Sequence, residues 1–176
     1  DLDNCIFPDG AHAIARALKT NQSLSSLDPG LLMCESSASM LVGSLNRLED
    51  EGTKLILEAA VGHPSLSCLM ISSNNAAAKS AEALSHLLVR NSVLMRIDAS
   101  SNHFAGSEDS ILESLTQNNH LHSLQLLCCG LREDIMLAVN ETLMQRQKLE
   151  KQTEFFLGYK NPVETQKSEH RLQVKI

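Results

Sequence analysis

The chain has 176 residues, 43% of them apolar, with no Trp, one Tyr and four Phe. Its interior must be built from Leu, Ile, Ala and Val, which suits many small repeated steps better than one large core. The formal net charge of −6 argues against nucleic acid, which calls for a basic stripe, and no apolar run of about 18 residues is present to span a membrane.

Asp1 opens the chain without Met and inside a patterned stretch, so the N-terminus reads as the edge of a fragment. The first pattern is Gly10, Ile14, Leu18, Asn21 and Leu24. The four-residue spacing places Ile14 and Leu18 on one helix face. Asn21 falls at the helix end, where Asn tolerates the left-handed conformation that stops a helix. The same template returns at Gly52, Ile56, Ala60, His63 and Leu66, at Ser80, Leu84, Leu88, Asn91 and Leu94, and at Ser107, Ile111, Leu115, Asn118 and Leu121. A period of about 28 residues predicts stacked strand–helix steps, each covering the apolar stripe of its neighbour.

Behind the last three templates runs a second frame: Leu66, Leu69, Ile71 and Asn74; Leu94, Ile97, Ala99 and Asn102; Leu121, Leu124, Leu126 and Cys129. Its two-residue alternation predicts a short strand with one buried face. The Asn or Cys that closes it sits where the chain turns out of the sheet, and buried Asn is suited to bonding the backbone groups a turn leaves free. Between Leu24 and the next strand the register fails. Ala38, Leu41, Gly43, Asn46 and Leu48 fit the strand frame, but Asp28–Ser39, with Pro29-Gly30 and several Ser, has no room for a helix. The expectation is an omission, by a lost helix or absent residues, rather than a functional loop, because long structureless insertions are uncommon in compact arrays.

The end of the chain differs again. Asp134 to about Gln152 reads as a longer capping helix with Ile135, Val139 and Leu143 on one face. Arg146, Lys148 and Lys151 towards its end suit the helix dipole. Phe155, Phe156, Leu157 and Tyr159 are expected to fold back and seal the last step. A polar tail follows Asn161-Pro162, in which the alternation of Arg171–Ile176 would fit an edge strand on a partner. The expected organisation is a repeat array over 1–145, irregular or truncated at 25–40, a cap over 146–160 and a polar tail over 161–176.

The frame of Leu and Asn or Cys positions, followed by a Gly-led helix, resembles the leucine-rich repeat superfamily in its ribonuclease-inhibitor-like subclass. The stretch Leu2 to Leu24 carries the likeness, which extends to about residue 145. The resemblance implies an α/β leucine-rich repeat solenoid with a parallel inner sheet, outer helices and a C-terminal capping helix. It implies no single function, since that superfamily includes nuclease inhibitors, innate immune receptors, actin-regulating proteins, a Ran GTPase activator and axonemal components.

Reactive chemistry finds little support in the residues. Cys5, Cys34, Cys68, Cys128 and Cys129 make an odd count without a CxxC pair, as expected of reduced thiols in a cytoplasmic or nuclear protein. There is no phosphate loop, GxSxG or HExxH. His120 and His122 have metal-ligand spacing but no third ligand in view, and the acidic run Glu49–Glu51 reads as a solvated turn matched to a helix dipole. No enzyme, cofactor or metal is expected.

The residues flanking the buried strand positions point out of the inner face. They are Met40, Val42 and Ser44; Cys68, Met70 and Ser72; Arg96, Asp98 and Ser100; and Ser123, Gln125 and Leu127. The helical and end surfaces compete with this face as the place of contact, because it lacks the Trp and Tyr that anchor hot spots. The expected function is a non-catalytic interaction module of an intracellular scaffold or multi-subunit assembly, cytoplasmic and associated with cytoskeleton or cilium. Its partners would be proteins within a larger complex, without nucleic acid or membrane. The alternatives are a regulator of a GTPase or other enzyme, and the sensing region of an innate immune receptor.

Overall fold

The computed structural model describes residues 8–24, 40–42 and 47–160. The elements run α1 (Pro8–Thr20), β1 (Met40–Val42), α2 (Glu49–Ala60), β2 (Cys68–Met70), α3 (Ala78–Arg90), β3 (Arg96–Asp98), α4 (Glu108–Gln117), β4 (Ser123–Gln125) and α5 (Glu133–Lys160). The chain divides into two compact parts, Asp1–Leu143 and Met144–Ile176. All the strands described, helices α1 to α4 and the start of α5 belong to the first.

Helix α3 shows why these segments are helical. Ala81, Leu84, Leu87 and Leu88 are buried while Glu82, His86 and Val89 are exposed, the periodicity of a helix with one apolar stripe. The strands obey the other period: Leu69, Ile97 and Leu124, each the middle residue of its strand, are buried in the core. Three-residue strands hold no independent sheet, so helix packing must stabilise them. The sheet is parallel in the order β1-β2-β3-β4, with Leu41, Leu69, Ile97 and Leu124 in one register row. Each of α2, α3 and α4 packs on the helix before it. Phe104, just past the turn after β3, is among the largest fully buried side chains.

The helix ends differ from expectation. Asn91 and Asn118 are extended, with φ of −89° and −81°, rather than left-handed. Their side chains do the work instead. Asn91 Oδ1 accepts from Val93 N at 2.8 Å and Leu94 N at 2.7 Å, and its Nδ2 donates to Ala60 O of the preceding helix at 2.9 Å. Asn118 repeats this with His120 N, Leu121 N and Leu88 O. His63 occupies the same place in the step before. Its Nδ1 accepts from Ser65 N and Leu66 N, which puts the ring proton on Nε2, and that buried nitrogen has no partner among the described residues.

Helix α1 packs on α2, and β1 pairs with β2 in the register of the other strands. The expected irregularity at 25–40 falls almost wholly outside the described residues. The connection from α1 to β1 is long, residues 21–39, against 61–67, 91–95 and 118–122 for the later ones. Helix α5 also runs past the expected end, continuing through Phe155–Tyr159 to Lys160 as one helix, where a fold-back was expected. Ile135, Val139 and Leu143 on its first turns are buried. The expected polar tail lies outside the described residues.

Leu88 is 1% exposed and Glu82 lies on the opposite face. Leu88→Asp should abolish the cooperative thermal transition, since an unpaired buried carboxylate on top of a lost Leu costs more than about 4 kcal/mol. Glu82→Ala should leave the midpoint unchanged, and equal effects would disprove the register. His63→Asn should raise stability by about 1 kcal/mol by supplying the missing carbonyl-directed donor; a lowered midpoint in urea unfolding would contradict this account of the helix ends.

Candidate protein-binding face

Because side chains alternate along a strand, the residues either side of the buried middle row face away from the core. Parallel register collects them into two rows: Met40, Cys68, Arg96 and Ser123, and Val42, Met70, Asp98 and Gln125. Met40 and Val42 are placed by their backbone in β1, and their side chains lie outside the described residues. Arg96 and Gln125 are exposed, while Met70, Ser72, Asp98 and Ser123 are half-buried. Cys68 shares the row but is buried at 4% exposure, so it leaves the accessible face. Asp98 Oδ1 is occupied by Ser100 N at 3.0 Å, which fixes the carboxylate beside the turn. Met95, at 46% exposed, was missed by the strand frame because it lies before the first strand position.

What aims this face is the turn after β2, β3 and β4. Ser73, Ser101 and Cys128 stand in equivalent places with φ of 56°, a left-handed conformation uncommon outside Gly. The turn directs backbone groups inward, and buried side chains meet them. Asn102 Oδ1 accepts from Asn74 N at 3.2 Å and Ala76 N at 3.0 Å, both in the preceding step. Its Nδ2 donates to Ile71 O at 3.0 Å and Ala99 O at 2.8 Å. Cys129 takes the equivalent position after β4, donating through Sγ to Ala99 O at 3.2 Å, and burial pushes its thiol pKa up so that it keeps this proton.

Asp50 was read as a solvated, dipole-matched residue of its own helix, but it acts on the next one. Its carboxylate accepts from Ala77 N at 2.9 Å, Ser80 N at 2.8 Å and Lys79 N at 3.2 Å, capping the start of α3. Partial desolvation pushes its pKa up, but hydrogen bonds from Ser80, Ala77 and Lys79 outweigh that and hold it below the usual carboxylate value. Glu51 adds an exposed ion pair with Lys79 at 2.9 Å.

His120 is exposed with its N–H bonded to Asn118 Oδ1, and His122 N donates to Met95 O across the sheet. Among the described residues no group of three His, Cys, Asp or Glu is placed to hold a metal, and no helix is long and apolar enough to cross a membrane. The geometry defines a short, mixed-charge surface on a parallel sheet backed by helices.

That fold is also seen in solved structures of other proteins. The chain is similar to leiomodin-1 actin-binding site 2, with 17% identity, 90% of this chain and 84% of that one covered, and a TM-score of 0.69. It is also similar to the tropomodulin C-terminal domain of Caenorhabditis elegans, at 10% identity, 82% and 98% coverage and a TM-score of 0.53. No protein-family model matches the chain, and no curated protein does. These findings correct the assignment to ribonuclease-inhibitor-like leucine-rich repeats and the fold class drawn from it. The fold is a set of helices on a small parallel sheet, shared with the leiomodin and tropomodulin domains, in place of a leucine-rich repeat solenoid. The physical reason is that spaced aliphatic residues report a packing period, which does not by itself identify a family.

Asn102→Ala should cost about 2–3 kcal/mol in urea unfolding, because it strips partners from several buried backbone groups at once. Asp50→Ala should cost about 0.5–2 kcal/mol at neutral pH through loss of the cap. The folded carboxyl pKa is lowered, so its contribution is complete above the unfolded value of about 4 and disappears as pH falls through the folded value. The gap between wild type and Asp50→Ala should therefore narrow below pH of about 4; a gap that is constant with pH would show that the charge is irrelevant.

Proposed function

We propose that this chain is a non-catalytic protein-binding module of the actin cytoskeleton, and that actin is its partner. The observation that carries the reading is the fold shared with leiomodin-1 actin-binding site 2 across 90% of the chain. The binding residues proposed are those on the open sheet face: Met70, Ser72, Arg96, Asp98, Ser123 and Gln125, with Met40 and Val42 continuing the rows on β1. Arg96 and Asp98 give the face paired opposite charges, and Met70 gives it an adaptable apolar contact. A cytoskeletal location follows from that partner.

Sedimentation with actin filaments, together with binding to labelled monomeric actin, tests both parts. Wild type should bind one of the two forms, and the combined Met70→Ala, Arg96→Ala and Asp98→Ala variant should bind about tenfold more weakly or worse. Absence of binding to either form by the wild type would refute actin as partner. Full binding by a folded triple variant would move the contact off the sheet face.

A further inference from the structure

The corners that follow helices α1 to α4 carry Asn21, His63, Asn91 and Asn118 in equivalent places. At the last three the side chain accepts from two backbone N–H groups of the turn towards the next strand. Asn91 Oδ1 takes Val93 N and Leu94 N, and Asn118 Oδ1 takes His120 N and Leu121 N. His63 Nδ1 takes Ser65 N at 3.3 Å and Leu66 N at 3.1 Å. The task is the same but the acceptor is not. An amide oxygen stays an acceptor in mild acid, whereas an imidazole nitrogen gains a proton there and becomes a donor.

His63 also lacks the second tie. Asn91 Nδ2 reaches back to Ala60 O at 2.9 Å and Asn118 Nδ2 to Leu88 O at 2.7 Å, while His63 Nε2 has no partner among the described residues. The ring is 2% exposed. The end of α1 meets this corner through Ser65 Oγ, which donates to Gln22 O at 3.2 Å, and the end of α3 meets α2 through Asn91. The ionisable groups in the last two turns of these helices are Arg16 and Lys19 on α1, Lys54 and Glu58 on α2, and His86 and Arg90 on α3. All but Lys54 are exposed, and none bonds to His63 among the described residues. Residues 64–67 carry no ionisable side chain. A proton on Nδ1 would set N–H against two N–H groups, in a buried place where no carboxylate is bonded to the ring.

We propose that His63 makes the corner between α2 and β2 an acid-sensitive joint. Protonation at Nδ1 opens it, freeing Ser65 and Leu66 and loosening the tie to the end of α1, while the corners built on Asn91 and Asn118 stay closed. The closed corner leaves Nδ1 without a proton and the open corner lets the ring take one. Opening therefore gains as pH falls below about 6.5, where an exposed imidazole titrates. The joint stands independently of actin binding at the sheet face.

Amide hydrogen exchange by NMR on the whole chain tests it, read together with the ring nitrogen shifts of His63. Near neutral pH the shifts should place the ring proton on Nε2 and none on Nδ1. Protection factors, which divide out the intrinsic pH dependence of exchange, should fall about tenfold at Leu66 between pH of about 7.5 and about 5.5. At Leu94 and Leu121 they should change by less than about twofold. His63→Asn keeps an acceptor for both N–H groups without a titrating group, so its Leu66 protection should stay constant over the same range. A proton on Nδ1 near neutral pH, or wild-type protection at Leu66 that ignores pH, would overturn the proposal. An equal fall at Leu94 and Leu121 would overturn it in favour of global acid unfolding. A fall at Leu66 that persists in His63→Asn would overturn it in favour of another titrating group.

Discussion

The side-chain amide of Asn102 offers one acceptor oxygen and two donor hydrogens, and the fold uses them on backbone groups buried with it. They bond Asn74 and Ala76 on one side and Ile71 and Ala99 on the other. The need arises from the strands being only three residues long. After β2, β3 and β4 a left-handed residue turns the chain outward, and the groups exposed by that turn would be orphaned in the core. An amide from the next step meets them. Each step is thus stable only against its neighbour, and the spacing between amides is tied to the spacing between strands.

The open face inherits its character from that arrangement. Register decides which residues share a row, so Arg96 lies between Cys68 and Ser123, and Asp98 between Met70 and Gln125. Nothing in the packing fixes the chemistry of these rows, since their side chains do not fill the core apart from Cys68. A fold held by buried aliphatics and amides is free to vary its exposed rows. That is consistent with leiomodin-1 and tropomodulin domains sharing the fold at 17% and 10% identity.

Much of the packing was legible in the sequence because stacking imposes one period on every buried position. Leu69, Ile97 and Leu124 in the strands, and Leu84, Leu88 and Leu115 in the helices, could be placed by spacing alone. Legibility ended where a residue acts on a distant segment. Asp50 caps a helix that starts 27 or more residues later, which no local pattern discloses. The break at 25–40 was legible only as a break, because lost and added residues interrupt the spacing in the same way. The family was misread because buried spacing reports a packing period, which does not by itself identify a family. The open face was legible as a set of positions, while the burial of Cys68 depends on neighbours that alternation does not reveal.

Cys129 shows how the array can end. A thiol has one hydrogen to give and is a weak acceptor, so it cannot replace both halves of an amide. It donates to Ala99 O, matching one bond of Asn102. The bond that Ala76 N makes to Asn102 Oδ1 has no side-chain counterpart here, and Phe104 N instead donates to the backbone carbonyl of Cys129 at 2.9 Å. The last turn thus has fewer side-chain bonds than the turn before it. It has less polar reinforcement, and burial of Ile135, Val139 and Leu143 from the first turns of α5 supplies apolar stabilisation in its place.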